Sequence, residues 1–144
     1  MNNGQAMKRT FALILAAMAA IAVFAALVHF VLVAGHVSEP AATTVHGLTP
    51  RRLWATTVAV LALASAVIGV VALARPANRF GAIASLVAGL IAVVNGGLVV
   101  GFANGGPGSG NGVVGGAGAL VLGLIGMSLG AIALGRSRRS LSID

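Results

Sequence analysis

Residues 53–102 read LWATTVAVLALASAVIGVVALARPANRFGAIASLVAGLIAVVNGGLVVGF. Two apolar runs stand on either side of Arg75-Pro-Ala-Asn-Arg79, and no other charged residue interrupts them. Each run has about the 20 residues a helix needs to cross a hydrocarbon core of ~30 Å. Inside lipid the backbone must satisfy its own hydrogen bonds, so runs of this length predict helices. The residue-by-residue alternation of a lipid-facing barrel strand is absent. Thr49-Pro50 predicts an N-cap and a first-position proline for the earlier helix. Arg75-Pro76 predicts its end, and Asn78 predicts a cap for the next. A link this short folds the two spans into an antiparallel hairpin.

Outward from the hairpin, the same pattern recurs twice. A span at about 11–35 follows Lys8 and Arg9, and a span at about 113–135 precedes Arg136, Arg138 and Arg139. Asn104-Gly-Gly-Pro107 marks the end of the third span, and Asn111 is placed to cap the fourth. The expected spans are therefore about 11–35, 53–74, 80–102 and 113–135, with loops at 36–50 and 103–112. The chain reads as one all-α membrane domain, a compact antiparallel bundle of four transmembrane helices.

Composition agrees. Of 144 residues, 58% are hydrophobic and 8% charged, against about 25% charged in soluble domains. Mean hydropathy is +1.05. Such a chain cannot clothe a water-facing surface, which excludes a cytosolic enzyme, a DNA-binding domain and a disordered tail. With no cysteine, it is no disulfide scaffold either.

The net charge of +7 is topological. With the N-terminus inside, seven basic residues lie at inner span ends (Lys8, Arg9, Arg75, Arg79, Arg136, Arg138, Arg139). Two lie at outer ones, Arg51 and Arg52. This asymmetry obeys the positive-inside rule and predicts both termini cytoplasmic. Trp54, Arg51, Arg52, Arg75 and Arg79 are expected as interfacial anchors, in contact with anionic head groups. No nucleic-acid partner is expected. Lys8-Arg9 before an apolar run also opens a signal peptide. The run is longer than the usual hydrophobic region of roughly 7–15 residues and lacks a small-x-small cleavage site close by, so it is read as a retained span.

An internal echo links the second and fourth spans. VLALASAVIGVVALAR (60–75) and VLGLIGMSLGAIALGR (121–136) agree at seven of sixteen positions, and both end in arginine. Either an old duplication or the sameness of small-residue helices accounts for it. Glycine is skewed toward the C-terminal half, with 17 of 21 at or beyond Gly81. Helices in lipid associate by close packing, which small residues permit. Ser65-x-x-x-Gly69, Gly97-x-x-x-Gly101, Gly112-x-x-x-Gly116 and Gly126-x-x-x-Gly130 are the expected packing motifs. They serve this chain's own bundle or contacts with another copy or subunit.

Sites of chemistry are few. GNGVVG at 110–115 fits the dinucleotide pattern, but no strand precedes it and no acidic residue follows before Asp144, so it is rejected. The surrounding loop is read as a flexible outer hairpin. Asn95 is the candidate intramembrane polar site. An amide in hydrocarbon is costly unless paired, so Asn95 either bonds to a neighbouring helix or lines a path. Ser65, Ser85 and Ser128 are expected to bond back to their own helix carbonyls. His29, His36 and His46 fit no standard zinc spacing, although a continuing helix would put His29 and His36 on one face. No Asp, Glu, Lys or Arg lies within any expected span. Proton-coupled transport and catalysis lack the groups they need. No catalytic residue, metal or cofactor is expected, and the protein is read as no enzyme.

Two stretches carry a resemblance: GLTPRRLWAT at 47–56, and GGPGSGNGVVGGAGALVLGLIGM at 105–127 with LGRSRR at 134–139. Over about residues 47–139 the chain resembles a family of small polytopic membrane proteins from high-GC actinobacteria, a domain of unknown function. The resemblance implies a bacterial plasma membrane and supplies no activity. The expected function is that of a non-catalytic structural or accessory subunit, packing as a homo-oligomer or within a larger membrane complex. The alternative is a small channel or transporter for a neutral or hydrophobic solute, lined by Asn95 and the glycine faces.

Overall fold

The structure, a computed structural model, describes residue 5 and residues 20–21, 23–75 and 78–140. It is helical, with α1 (Val23–Ala34), α2 (Pro50–Ala74), α3 (Arg79–Gly101) and α4 (Val113–Ser140). The last three are long and apolar enough to cross a membrane. The 25 residues of α2 amount to roughly 37 Å of helix, more than the ~30 Å core requires. Helix α1 is apolar but shorter. Lys8, Arg9 and most of the first half of the first expected span lie outside the described residues, as does Pro76.

The expected helix starts are made by the expected groups. Thr49 caps α2 by accepting from the Arg52 backbone N–H, with Pro50 in the first turn. Asn78 caps α3 by accepting from the Gly81 N–H at 2.9 Å. One cap and one boundary differ. Helix α4 begins after Gly112, and the Asn111 side chain is spent on the loop instead. It also runs beyond Gly135 through the arginines to Ser140, where no glycine or proline stops it.

Packing follows one rule. Helix α2 buries Ala55, Val58, Ala62, Ser65, Gly69 and Ala72. Helix α3 buries Ala82, Ser85, Gly89, Ala92 and Gly96 on its inner face. Helix α4 buries Gly116, Ala119, Gly123, Gly126, Gly130 and Ala133. All three sets step by three and four residues, the 3.5-residue repeat of left-handed helix pairs. Almost every member is Gly, Ala or Ser. The large apolar side chains face outward instead, among them Val60, Val67, Val70, Leu90, Val94 and Leu98. That inversion suits lipid, where burying a leucine gains nothing and close backbone approach gains dispersion contact.

The approach is tightest between the antiparallel α3 and α4. Ala82, Gly89 and Gly96 oppose Gly130, Gly123 and Gly116, each set in steps of seven. A Cβ on Gly96 would lie 2.7 Å from both the Gly116 carbonyl oxygen and the Leu120 nitrogen, and one on Gly89 would lie 2.7 Å from the Gly123 oxygen. Helix α1 closes against the loop end of the bundle, where Leu32 and Val37 pack with Val100, Val113 and Ala117.

Candidate functional site

Among the described residues, the largest fully buried side chains are two serines, Ser65 and Ser85. They sit midway along α2 and in the first half of α3, at seam positions of both repeats. Ser65 Oγ donates to the Ser85 carbonyl at 2.8 Å, and Ser85 Oγ faces both the Ser65 carbonyl at 2.8 Å and the Gly126 carbonyl at 2.7 Å. One polar node therefore ties all three long helices together in the bundle interior. Gly126 makes it possible: a Cβ there would collide with Ser65 Oγ and come within 2.9 Å of the Ala66 nitrogen.

The expectation that Ser65 and Ser85 bond back to their own helices is thus corrected. A small seam brings foreign carbonyls as close as the helix's own. The roles are reversed at Asn95, which is half-buried and donates from Nδ2 to the Ile91 carbonyl of its own helix at 2.9 Å. Among the described residues, no buried side-chain nitrogen or oxygen lacks a partner.

The packing candidates divide. Gly69, Gly126 and Gly130 lie in the seam: a Cβ on Gly69 would meet Ser85 Oγ at 2.7 Å, and one on Gly130 the Ala82 carbonyl at 2.7 Å. Gly97 and Gly101 do not. A Cβ on Gly97 would touch only Leu120 Cδ1, at 3.7 Å, and one on Gly101 would meet nothing within 4 Å among the described residues. The seven-residue step from Gly89 puts Gly96 inward, which turns its neighbour Gly97 aside.

At the loop end, residues 36–50 and 103–112 form a joined cap, which corrects the expectation of a flexible hairpin. Ala41 N–H donates to the Pro107 carbonyl at 2.9 Å and Val45 N–H to that of Gly108 at 3.0 Å. Thr49 Oγ1 donates to the Gly110 carbonyl. Arg52 Nη1 reaches the Gly47 carbonyl at 2.7 Å and Nη2 that of Gly108 at 3.4 Å. Arg51 Nη1 reaches the Phe102 carbonyl at 3.3 Å and Asn111 Oδ1 at 3.2 Å. Gly108 (φ 95°) and Gly110 (φ 84°) supply backbone turns that other residues resist. A cavity of about 400 Å³ opens beneath the cap beside Arg52, Ala55 and Thr56.

The histidines are not gathered. Helix α1 ends at Ala34, and His36 takes a left-handed conformation (φ 53°). Val37 N–H bonds the Leu32 carbonyl and His36 N–H that of Val33, the two-bond helix stop known as a Schellman motif. His36 therefore leaves the helix before it can share a face with His29. Among the described residues, no three His, Cys, Asp or Glu side chains come together as metal ligands. Arg75 and Arg79 lie exposed at the opposite end of the bundle, and Trp54 is exposed one turn below Arg51.

Residues 50–141 match DUF6223, a family of unknown function. The chain belongs to that family. No curated protein and no solved structure matches it. The family's extent takes in α2, α3, their hairpin, the glycine loop and all of α4, so the small-residue seam and its serine node fall inside it and α1 falls outside.

Proposed function

We propose that the protein is a structural or accessory subunit of a bacterial plasma membrane, without catalysis of its own. In this reading the first apolar segment is retained as a fourth crossing. Both termini are cytoplasmic, as the seven-to-two division of basic residues favours. The cap then faces outward and the basic end meets anionic head groups.

One observation carries the subunit role. The seam glycines are consumed by contacts within the chain, whereas among the described residues a Cβ on Gly97 would meet only the tip of Leu120 and one on Gly101 nothing within 4 Å. Small residues four apart on a lipid-facing surface are a docking face for another helix, of a second copy or a different chain. The channel alternative has less support. The seam leaves no room for even one added carbon at Gly89, Gly96 or Gly126, and the Asn95 amide donates to its own helix.

The test is crosslinking of a single-cysteine variant, Gly101→Cys, in native membranes, with co-purifying chains identified after mild-detergent extraction. A defined adduct is expected, either a dimer or a fixed heteromeric product. A monomer without adducts or co-purifying chains would remove the reading. Solute flux through liposomes, abolished by Asn95→Leu, would establish the channel instead.

A further inference from the structure

Between the first turn of α2 and the last turn of α3, a groove of about 330 Å³ opens sideways from the bundle. Its lower walls are apolar, formed by Trp54, Leu98 and Val99, with Phe102 above them. Arg51 and Asn111 stand at its upper rim. The Arg51 guanidinium is anchored along one edge only, by the two Nη1 contacts to Phe102 and Asn111. Its Nη2 and Nε have no partner among the described residues. The chain has only two acidic residues, Glu39 and Asp144; Asp144 lies outside the described residues, and Glu39 does not pair with Arg51. A fixed cation with two free donors thus overhangs an apolar slot at the depth where α2 begins. That arrangement matches an anion joined to a hydrocarbon chain. A guanidinium edge binds phosphate oxygens in a fork, and an aromatic flank is favoured at the membrane interface.

We propose that this groove is a phospholipid site. An acyl chain lies along Trp54 and Leu98, and the lipid phosphate sits on the free edge of Arg51. Lipids with net negative charge are preferred over zwitterionic ones. Arg52 is excluded from the role, because its guanidinium is turned to the Gly47 and Gly108 carbonyls of the cap.

Trp54 is the only tryptophan, so the groove reports on its own occupant. The full chain is reconstituted in phosphatidylcholine vesicles containing dibrominated acyl chains, which quench indole fluorescence on contact. They are carried either on phosphatidylglycerol or on phosphatidylcholine. Brominated phosphatidylglycerol is expected to associate with Trp54 about fivefold more strongly, the factor of one basic residue near an anionic lipid. Arg51→Gln should reduce that ratio to near one, and Arg52→Gln should leave it unchanged. A variant with the reporter moved, Trp54→Phe with Leu90→Trp, places the indole on the lipid-facing side of α3 and should also read near one. A ratio near one in the parent protein would overturn the site. So would a preference that survives Arg51→Gln, is lost equally with Arg52→Gln, or appears equally at Leu90→Trp.

Discussion

Glycine serves two different needs in this molecule, one in the seam and one in the cap. In the seam it is an ordinary helical residue whose missing Cβ lets two backbones touch. In the cap, Gly108 has ordinary room around it, with no neighbour of a missing Cβ nearer than 3.5 Å, but holds φ 95°. Spatial demand is absolute, because a facing backbone cannot step aside. Torsional demand is finite, of order 1–2 kcal/mol per residue, and is felt locally.

The comparison can be broken most severely at Gly126. Gly126→Val should cost about 3 kcal/mol or more, and no monodisperse protein is expected on extraction in mild detergent. A folded Gly126→Val protein of parental stability would disprove the contact between α2 and α4. The neighbouring pair Gly96 and Gly97 sharpens the same point. Gly96→Ala should lose about 2 kcal/mol by overpacking, whereas Gly97→Ala should be neutral or gain up to about 1 kcal/mol from helix propensity. Thermal unfolding in detergent measures both, and equal effects would show that α3 is rotated from the orientation described.

Gly108→Ala should cost about 1–2 kcal/mol in a confined way. Hydrogen exchange in residues 41–49 should quicken while the unfolding midpoint of the bundle scarcely moves. A large fall in the midpoint would mean that cap and seam unfold together. Ser85→Ala removes one hydroxyl proton, shared between the Ser65 and Gly126 carbonyls of two other helices. The expected loss is about 0.6 kcal/mol, and Asn95→Leu should cost less because it breaks only a bond within one helix. If Asn95→Leu proves the more damaging, Asn95 has a partner beyond Ile91.

The residues that could be read from sequence are those whose behaviour is set locally. Length and hydropathy mark α2, α3 and α4 as spans, and Thr49-Pro50 and Asn78 cap helices because an N-cap depends on the next three residues. Ser65 and Ser85 resist such a reading. A serine in a helix has two acceptors within reach, and which one it takes depends on how near the next helix lies. The choice between Gly96 and Gly97 is equally non-local, since both are small and only the steps of seven back to Gly89 and Ala82, matched by those of α4, decide which faces inward. The cap joins residues about 60 positions apart, and no local pattern records that union. The recurring three-and-four spacing of Ala, Gly and Ser was nonetheless present in the chain throughout. A search for small residues at heptad positions would have found the seam.

The seven-residue steps have an unwanted symmetry. If α3 slid along α4 by one repeat, roughly 10 Å, Gly89 would meet Gly130, Gly96 would meet Gly123, and Ala82 would meet Ser137, small against small at every crossing. Steric fit alone does not choose between the two alignments. The serine node does, because only one of them sets Ser85 Oγ against the Gly126 carbonyl with Ser65 closing the triangle. A single polar position can fix the register of an otherwise permissive helix pair. By that logic, the two hydroxyls act as a locating pin: modest in energy, yet what makes a repetitive surface assemble in one way.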